Sequence, residues 1–163
     1  MLDSVPTGVE PDRAAVVEAV LSASRVLVAV AARSLAEVGD EVTLPQYRAL
    51  VVLVSRGPQR VASLAEALAV TPPTATRMCD RLVKKRLLRR RTSSEDRREV
   101  HLSITPAGRQ LVAEVTDRRR CEIANLLAGI PAKDQAAMVE LFGKLAEAAG
   151  EVPDQNWAVG WEL

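Results

Sequence analysis

Apolar positions in the first quarter of the chain recur at helical spacing. Asp12 stands where a helix cap belongs, and Val16, Val17, Val20, Leu21, Leu27, Val28 and Leu35 then follow up to Gly39. In its middle this long helix is apolar almost all round, more than one neighbour within the chain can cover, so burial against a second subunit is expected. A second helix opens at Thr43-Leu44-Pro45-Gln46, a capping box, and Gly57-Pro58 closes it. A short third helix repeats the device with Ser63 and Glu66, carries Leu64 and Leu68, and ends by Val70. Thr71-Pro72-Pro73 then reads as an N-cap followed by prolines where the missing N–H costs nothing, and a fourth helix runs to about Arg86.

Within the fourth helix Ala75, Met78, Cys79 and Leu82 share one stripe at i, i+3, i+4 and i+7. Pro73, Arg77, Asp80, Arg81 and Lys84 lie largely opposite, with Thr74 and Thr76 flanking them near the helix start. Two capped helices at short separation, the second cationic on its outer side, form a helix-turn-helix. Leu87 to Thr92 and Arg98 to Thr105 follow as two strands, the second alternating Val100, Leu102 and Ile104 inward with His101 and Ser103 outward. Between them Ser93-Ser94-Glu95-Asp96-Arg97 is a polar turn, so the motif carries a basic β-hairpin wing. Helix resumes at Thr105-Pro106 with Leu111, Val112, Val115, Ile123, Leu126 and Leu127, and breaks at Gly129-Ile130-Pro131. A last helix carries Met138, Leu141, Phe142 and Leu145 to Gly150; the tail from Glu151, with Trp157 and Trp161, shows no periodicity.

The fold class expected is mainly α with a small β-hairpin wing, flanked by N- and C-terminal helices for dimerisation. At 163 residues one domain suffices, and 48% hydrophobic with 26% charged residues is ordinary for a soluble globular chain. The longest apolar run, Val26 to Ala32 between Arg25 and Arg33, is far short of a membrane span, and the N-terminus lacks a signal-peptide pattern. A cytoplasmic protein without a membrane partner is the expectation.

Charge changes the picture more than composition does. The formal net charge is +1, yet from Arg77 to Arg98 ten basic residues face three acidic ones, a local +7 that leaves −6 on the remainder. A basic band on an otherwise acidic chain is the footprint of a phosphate binder. Aromatics are 2% of the chain and absent from the band, which disfavours single-stranded nucleic acid and RNA. Cys79 and Cys121 are too few for a disulfide framework, and His101 alone cannot build a Cys/His metal cluster or serve an unadvertised nucleophile. No phosphate-cradling or nucleophile-elbow motif occurs, so neither an enzyme nor a cofactor is expected. A winged-helix module docking an acidic protein is the alternative to a DNA-binding function.

Leu64-Ala65-Glu66-Ala67-Leu68, Thr71-Pro72-Pro73-Thr74-Ala75-Thr76-Arg77, Asp80-Arg81-Leu82, Asp96-Arg97-Arg98 and Leu102-Ser103-Ile104-Thr105-Pro106-Ala107-Gly108 together resemble the MarR family of winged helix-turn-helix regulators. The resemblance covers roughly Asp12 to Gly150. It implies dimerisation helices over 12–39 and 106–150, a DNA-binding region over 43–105 and tails over 1–11 and 151–163. It further implies a homodimer on a pseudo-palindromic double-stranded operator, usually a repressor relieved by a small ligand or an oxidant. Carried over by position, Thr74, Thr76 and Arg77 enter the major groove, with Pro73, Arg81 and Lys84 beside them. Arg97 and Arg98 match the wing tip that reads a narrow minor groove, Asp96 orients them, and Arg89, Arg90 and Arg91 follow the phosphate backbone. The family commonly has Gly where Arg86 stands, which leaves open whether the helix extends or a side chain takes a left-handed turn.

Other features have plainer readings. Asp80 with Lys84 and Glu114 with Arg118 have the spacing of helix-surface pairs, and Arg118-Arg119-Arg120 is left outside the site. Cys79 falls on the buried stripe and Cys121 can pack similarly; the first helix, where the family's oxidant-sensing thiols lie, has no cysteine. Family effectors are often small aromatic acids or phenols. Tyr47 and Arg48 lie near where such a pocket would open, although an ordinary core tyrosine and surface arginine fit equally.

Overall fold

A computed structural model describes residues 12–38, 42–92 and 100–151. In chain order the elements are α1 (Arg13–Ala36), α2 (Leu44–Arg56), β1 (Gln59–Arg60), α3 (Val61–Ala67), α4 (Pro72–Lys84), β2 (Leu88–Thr92), β3 (Val100–Ile104), α5 (Pro106–Leu127) and α6 (Ala132–Ala148). Gly39, the wing turn with Asp96, Arg97 and Arg98, and the tails with Trp157 and Trp161 lie outside the described residues.

The core sits where α2, α3 and α4 meet the sheet and the first half of α5. Leu50, Leu53, Leu64, Leu82, Leu88, Leu102, Val112 and Val115 are all buried in it. Each such side chain contributes about 1.5–3 kcal/mol relative to exposure, which makes this body the stable part of the chain. On α4 the stripe falls where the spacing puts it, with Ala75, Cys79 and Leu82 fully buried and Met78 half-buried against them. Asp12 accepts from the Ala14 N–H at 3.0 Å, and the Thr43/Gln46 capping box forms in both directions.

Several local expectations are corrected. Helix α3 starts at Val61 from an Arg60 cap without a side-chain bond, because β1 delivers the chain straight into it; Ser63 is therefore inside the helix. The β1 strand itself escaped the sequence pattern, being two polar residues after Pro58 with no room for alternation. It pairs antiparallel with β3, Gln59 opposite Leu102, giving the sheet order β1-β3-β2. In β3, Leu102 and Ile104 face inward, but Val100, nearer the wing tip, is 46% exposed. Ser103 is buried, where Arg89 from the paired position on β2 donates Nε to its Oγ at 3.2 Å.

Arg86 does take the left-handed conformation, at φ 59°. Leu87 N–H bonds the Leu82 carbonyl at 3.0 Å and Arg86 N–H the Val83 carbonyl at 2.9 Å, the wrapped ending usually built on glycine. Thr105 then locks this turn to α5. Its hydroxyl lies 2.8 Å from the Arg86 carbonyl and 3.1 Å from that of Leu87, and its oxygen accepts the Gly108 N–H at 3.1 Å. A Cβ on Gly108 would fall 2.4 Å from the Leu87 carbonyl oxygen and 2.7 Å from Ile104 Cγ1, so only glycine fits there.

Outside the core the helices are bare. Along α1 only Val30, Ser34 and Leu35 are buried, while Val17 and Val28 are 49% and 58% exposed. The longest apolar run underestimated this helix: α1 contains an 18-residue stretch long and apolar enough to cross a membrane by length and composition alone. Its C-terminal end is pinned to α5. Arg33 donates Nε and Nη2 to Glu122 Oε2 at 3.1 and 2.7 Å, and the buried Ser34 hydroxyl donates to Oε1 at 3.2 Å. Arg33 thereby holds the Glu122 carboxyl below the usual carboxylate range. Arg118 pairs with Glu37, the residue that caps the C-terminal end of α1, and Glu114 accepts instead from Gln110, because the α1 end offers Arg118 a carboxylate across the helix pair. Helix α6 buries no residue. Between α1, α5 and α6 an apolar groove of about 490 Å³ remains, with Leu27, Ile123, Leu126, Val139 and Phe142 among its lining.

Gly108→Ala is expected to lower stability by about 1–3 kcal/mol or more through overpacking. Arg86→Gly should raise it by about 0.5–1 kcal/mol, the left-handed strain removed less the added backbone entropy of the unfolded chain. Urea unfolding of the three proteins side by side measures both.

Candidate nucleic-acid interface

The turn between α3 and α4 is made without glycine. Ala69 adopts φ 52°, and Val70 N–H reaches the Ala65 carbonyl at 3.0 Å, which ends α3 and swings the chain into α4. Thr71 caps α4 in extended conformation without a side-chain cap bond, and Pro72 and Pro73 fill its first turn. The prolines remove two of the four amide donors that a helix start leaves unpartnered, which narrows what the helix end itself can offer a phosphate. The Thr71 and Thr74 hydroxyls are 2.9 Å apart, and Thr76 Oγ1 donates to the Pro72 carbonyl at 2.9 Å. With its proton engaged, the Thr76 oxygen is left as an acceptor.

Pro73, Thr76, Arg77, Arg81 and Lys84 are exposed, with Thr74 half-buried beside them. Arg77, Arg81 and Lys84 follow at i, i+4 and i+7 down one side of α4, and among the described residues none of the three is ion-paired. Their charge therefore faces solvent, where a polyanion can neutralise it. Of the β2 arginines, Arg89 and Arg91 pair with Ser103 and His101 on one side of the sheet. Arg90 pairs with Leu102, on the same side as Leu88, and there its Nη2 meets Asp80 Oδ1 of α4 at 2.5 Å. Asp80 is thus taken by Arg90 across to the wing strand rather than by Lys84 along the helix. The sequence did hold a signal for this: strand alternation sets Arg90 with Leu88, facing α4. Arg97, Arg98 and Asp96 lie outside the described residues.

Neither thiol belongs to this surface. Cys79 is fully buried behind α4, and burial pushes its thiol up to about 11. Cys121 is exposed on α5, contrary to the packed position expected for it; its place on the helix turns it away from the core side marked by Val112 and Val115. Tyr47 is buried with its hydroxyl 3.3 Å from Thr116 Oγ1. Arg48 donates Nη1 and Nη2 to the two carboxylate oxygens of Glu151 at 2.8 and 2.5 Å. Among the described residues no group of three or more His, Cys, Asp or Glu could hold a metal ion.

With a winged helix-turn-helix and a free cationic face in place, the class of protein is a DNA-binding regulator. The MarR family model matches residues 42–100. A Bacillus subtilis protein, the HTH-type transcriptional repressor MdtR, is 33% identical over 73% of this chain and 77% of its own length. Among solved structures, RV1404 from Mycobacterium tuberculosis superposes with a TM-score of 0.82 at 38% identity, covering 90% of this chain and 99% of that one. The YusO protein from Bacillus subtilis gives a TM-score of 0.65 at 27% identity over 83% of this chain and 94% of its own. The chain belongs to the MarR family. It is accordingly a transcription regulator and not an enzyme.

A Cys121→Ser variant is expected to keep its remaining thiol, Cys79, unreactive toward a maleimide until the protein unfolds. Prompt labelling of the native variant would show that the α4 stripe is open to solvent.

Proposed function

We propose that this regulator is a cytoplasmic homodimeric repressor that binds a pseudo-palindromic double-stranded operator and is released by a small-molecule effector. The observation that carries DNA recognition is the line of exposed cations, Arg77, Arg81 and Lys84, none of them ion-paired among the described residues. Thr74, Thr76 and Arg77 form the part that reads bases, an Arg pairing bidentately with guanine and a hydroxyl accepting from an amino group. Arg81, Lys84, Arg89 and Arg91 meet phosphates, Arg97 and Arg98 extend the contact into the minor groove, and Asp96 orients them. Arg90, occupied by Asp80, holds the wing strand to α4 as well as adding charge beside the backbone.

The homodimer is supported by the apolar positions of α1 and α6 that the described residues leave exposed, Val16, Val17, Leu141 and Leu145 among them. Helices over 12–39 and 106–150 form the dimerisation layer in this reading, with 43–105 as the reading head. The repressor sign is that of MdtR by its name. An aromatic or phenolic effector comes from the family resemblance; Tyr47 and Arg48 are both engaged within the chain and are not assigned to it.

Two recognition helices about 34 Å apart would read two half-sites one turn of duplex apart. Fluorescence anisotropy with labelled duplex, starting from the region upstream of the protein's own gene, should show selective binding that weakens steeply with salt. Arg77→Ala is expected to cost about 1–3 kcal/mol and relax selectivity, whereas Lys84→Ala should weaken all sequences alike and lower the salt slope by about one. Arg98→Ala should weaken operator binding without unfolding the protein. Weak, unselective binding by the wild-type protein would instead favour a module that docks an acidic protein.

A further inference from the structure

No residue of helix α6 is fully buried, yet its end is fastened to the reading head. The fastening begins with Gly150, whose φ of 65° and the Glu151 N–H to Ala146 carbonyl bond at 3.0 Å turn the chain back over the last turn. That reversal presents two acceptors in succession to α2. The Gly150 carbonyl takes Arg56 Nη2 at 3.1 Å, and the Glu151 carboxylate takes both terminal nitrogens of Arg48, fork to fork. Arg48 and Arg56 stand two helical turns apart on α2, whose other residues Ala49, Leu50, Val51 and Leu53 are buried in the core of the head. The clamp therefore grips an element that cannot move without the head. Each partner shifts the other toward its charged form: Arg48 holds the Glu151 carboxyl below its ordinary range, and Glu151 raises Arg48.

We propose that Arg48 and Arg56, clamping Gly150 and Glu151, are positioning residues for operator binding: they fix the angle between each reading head and the dimerisation layer and so the spacing of the two recognition helices. The inference rests on the dimeric operator-binding reading above. None of the four residues lies on the cationic face of α4 or in the wing, so the clamp acts through geometry and not through contact with DNA. At the opposite end of α6, Gln135 donates to the carbonyl of Leu127, the last residue of α5, at 3.1 Å and to that of Ile130 in the intervening turn at 2.7 Å, which ties α6 to α5 and not to the head. Among the described residues the C-terminal clamp thus joins the end of α6 to the head directly.

The test compares the full-length wild-type protein with Arg48→Glu, Glu151→Arg and the double exchange. Each is titrated with the duplex that the wild-type protein selects from the region upstream of its own gene and with that duplex carrying one base pair inserted or removed between the half-sites, while sedimentation and thermal unfolding report dimer and fold. Each single variant is expected to remain a folded dimer, to bind the natural operator about 5–20-fold more weakly and to discriminate less between the three spacings; the double exchange should recover both affinity and discrimination. A merely structural salt bridge would change the unfolding midpoint but leave the spacing preference as in the wild type, and that result overturns the inference. So does unchanged affinity in Arg48→Glu. A wild-type protein that selects no duplex would remove the operator-binding reading, and the inference with it, before any variant is compared.

Discussion

Four elements converge on the carbonyls of Arg86 and Leu87. The recognition helix ends there, the wing begins there, and the other wing strand runs into Thr105, whose hydroxyl bonds both carbonyls while capping α5. Backbone acceptors of this kind need donors, and Thr105 supplies them to both carbonyls through its hydroxyl and to Leu87 also through its own N–H at 3.1 Å. Because Gly108 touches the Leu87 carbonyl, α5 leaves the junction in a single direction. The angle between recognition helix and wing is therefore inherited from this knot. That explains how Arg86 is tolerated in a left-handed position: strain on the order of 1 kcal/mol is small against an ending held by five hydrogen bonds around it.

A second division runs through the molecule's apolar surface. In the head, leucines and valines from α2, α3, α4, the sheet and α5 close on one another, and the polar groups at its edge are matched, as with Ser103 and Arg89. In α1 and α6 the same residue types face outward, at 77% exposure for Val139. A helix with the composition of α1 satisfies the length and hydropathy of a bilayer span, and the dimer proposed above assigns that apolarity instead to contact between subunits. Composition alone does not separate the two solutions, since both require only that water be excluded from one face.

What could be read from the residues follows the same division. Helices with strong periodicity and a marked start, α2 with its capping box and α4 with prolines in its first turn, were legible, because the local start signal and burial agree there. The cationic face was legible from spacing alone. What escaped was nonlocal: the β1 strand, which exists only because β3 passes beside it, and the pairings Asp80 with Arg90, Arg118 with Glu37 and Arg48 with Glu151. Spacing along one helix proposes i,i+4 partners, and in the first two of these cases a partner on another element took the charge. Such surface pairs contribute about 0.2–1 kcal/mol each, too little to leave a mark on local sequence pattern, yet enough to select among orientations of elements already formed.

Orientation is what a two-headed reader of duplex must control. Helix α5 has 22 residues, a rod of about 33 Å, with the wing junction at one end and the apolar layer at the other. In the proposed dimer a tilt of about 6° at the layer displaces the far end of such a rod by about 3.4 Å, the axial step of one base pair. Hydrophobic contact in the layer is non-directional and tolerates tilts of that size. Directional bonds that reach from α1 to α5, and from the end of α6 to α2, oppose them. A small investment in polar ties across the outside of the molecule thus sets a precision that the apolar faces alone do not provide.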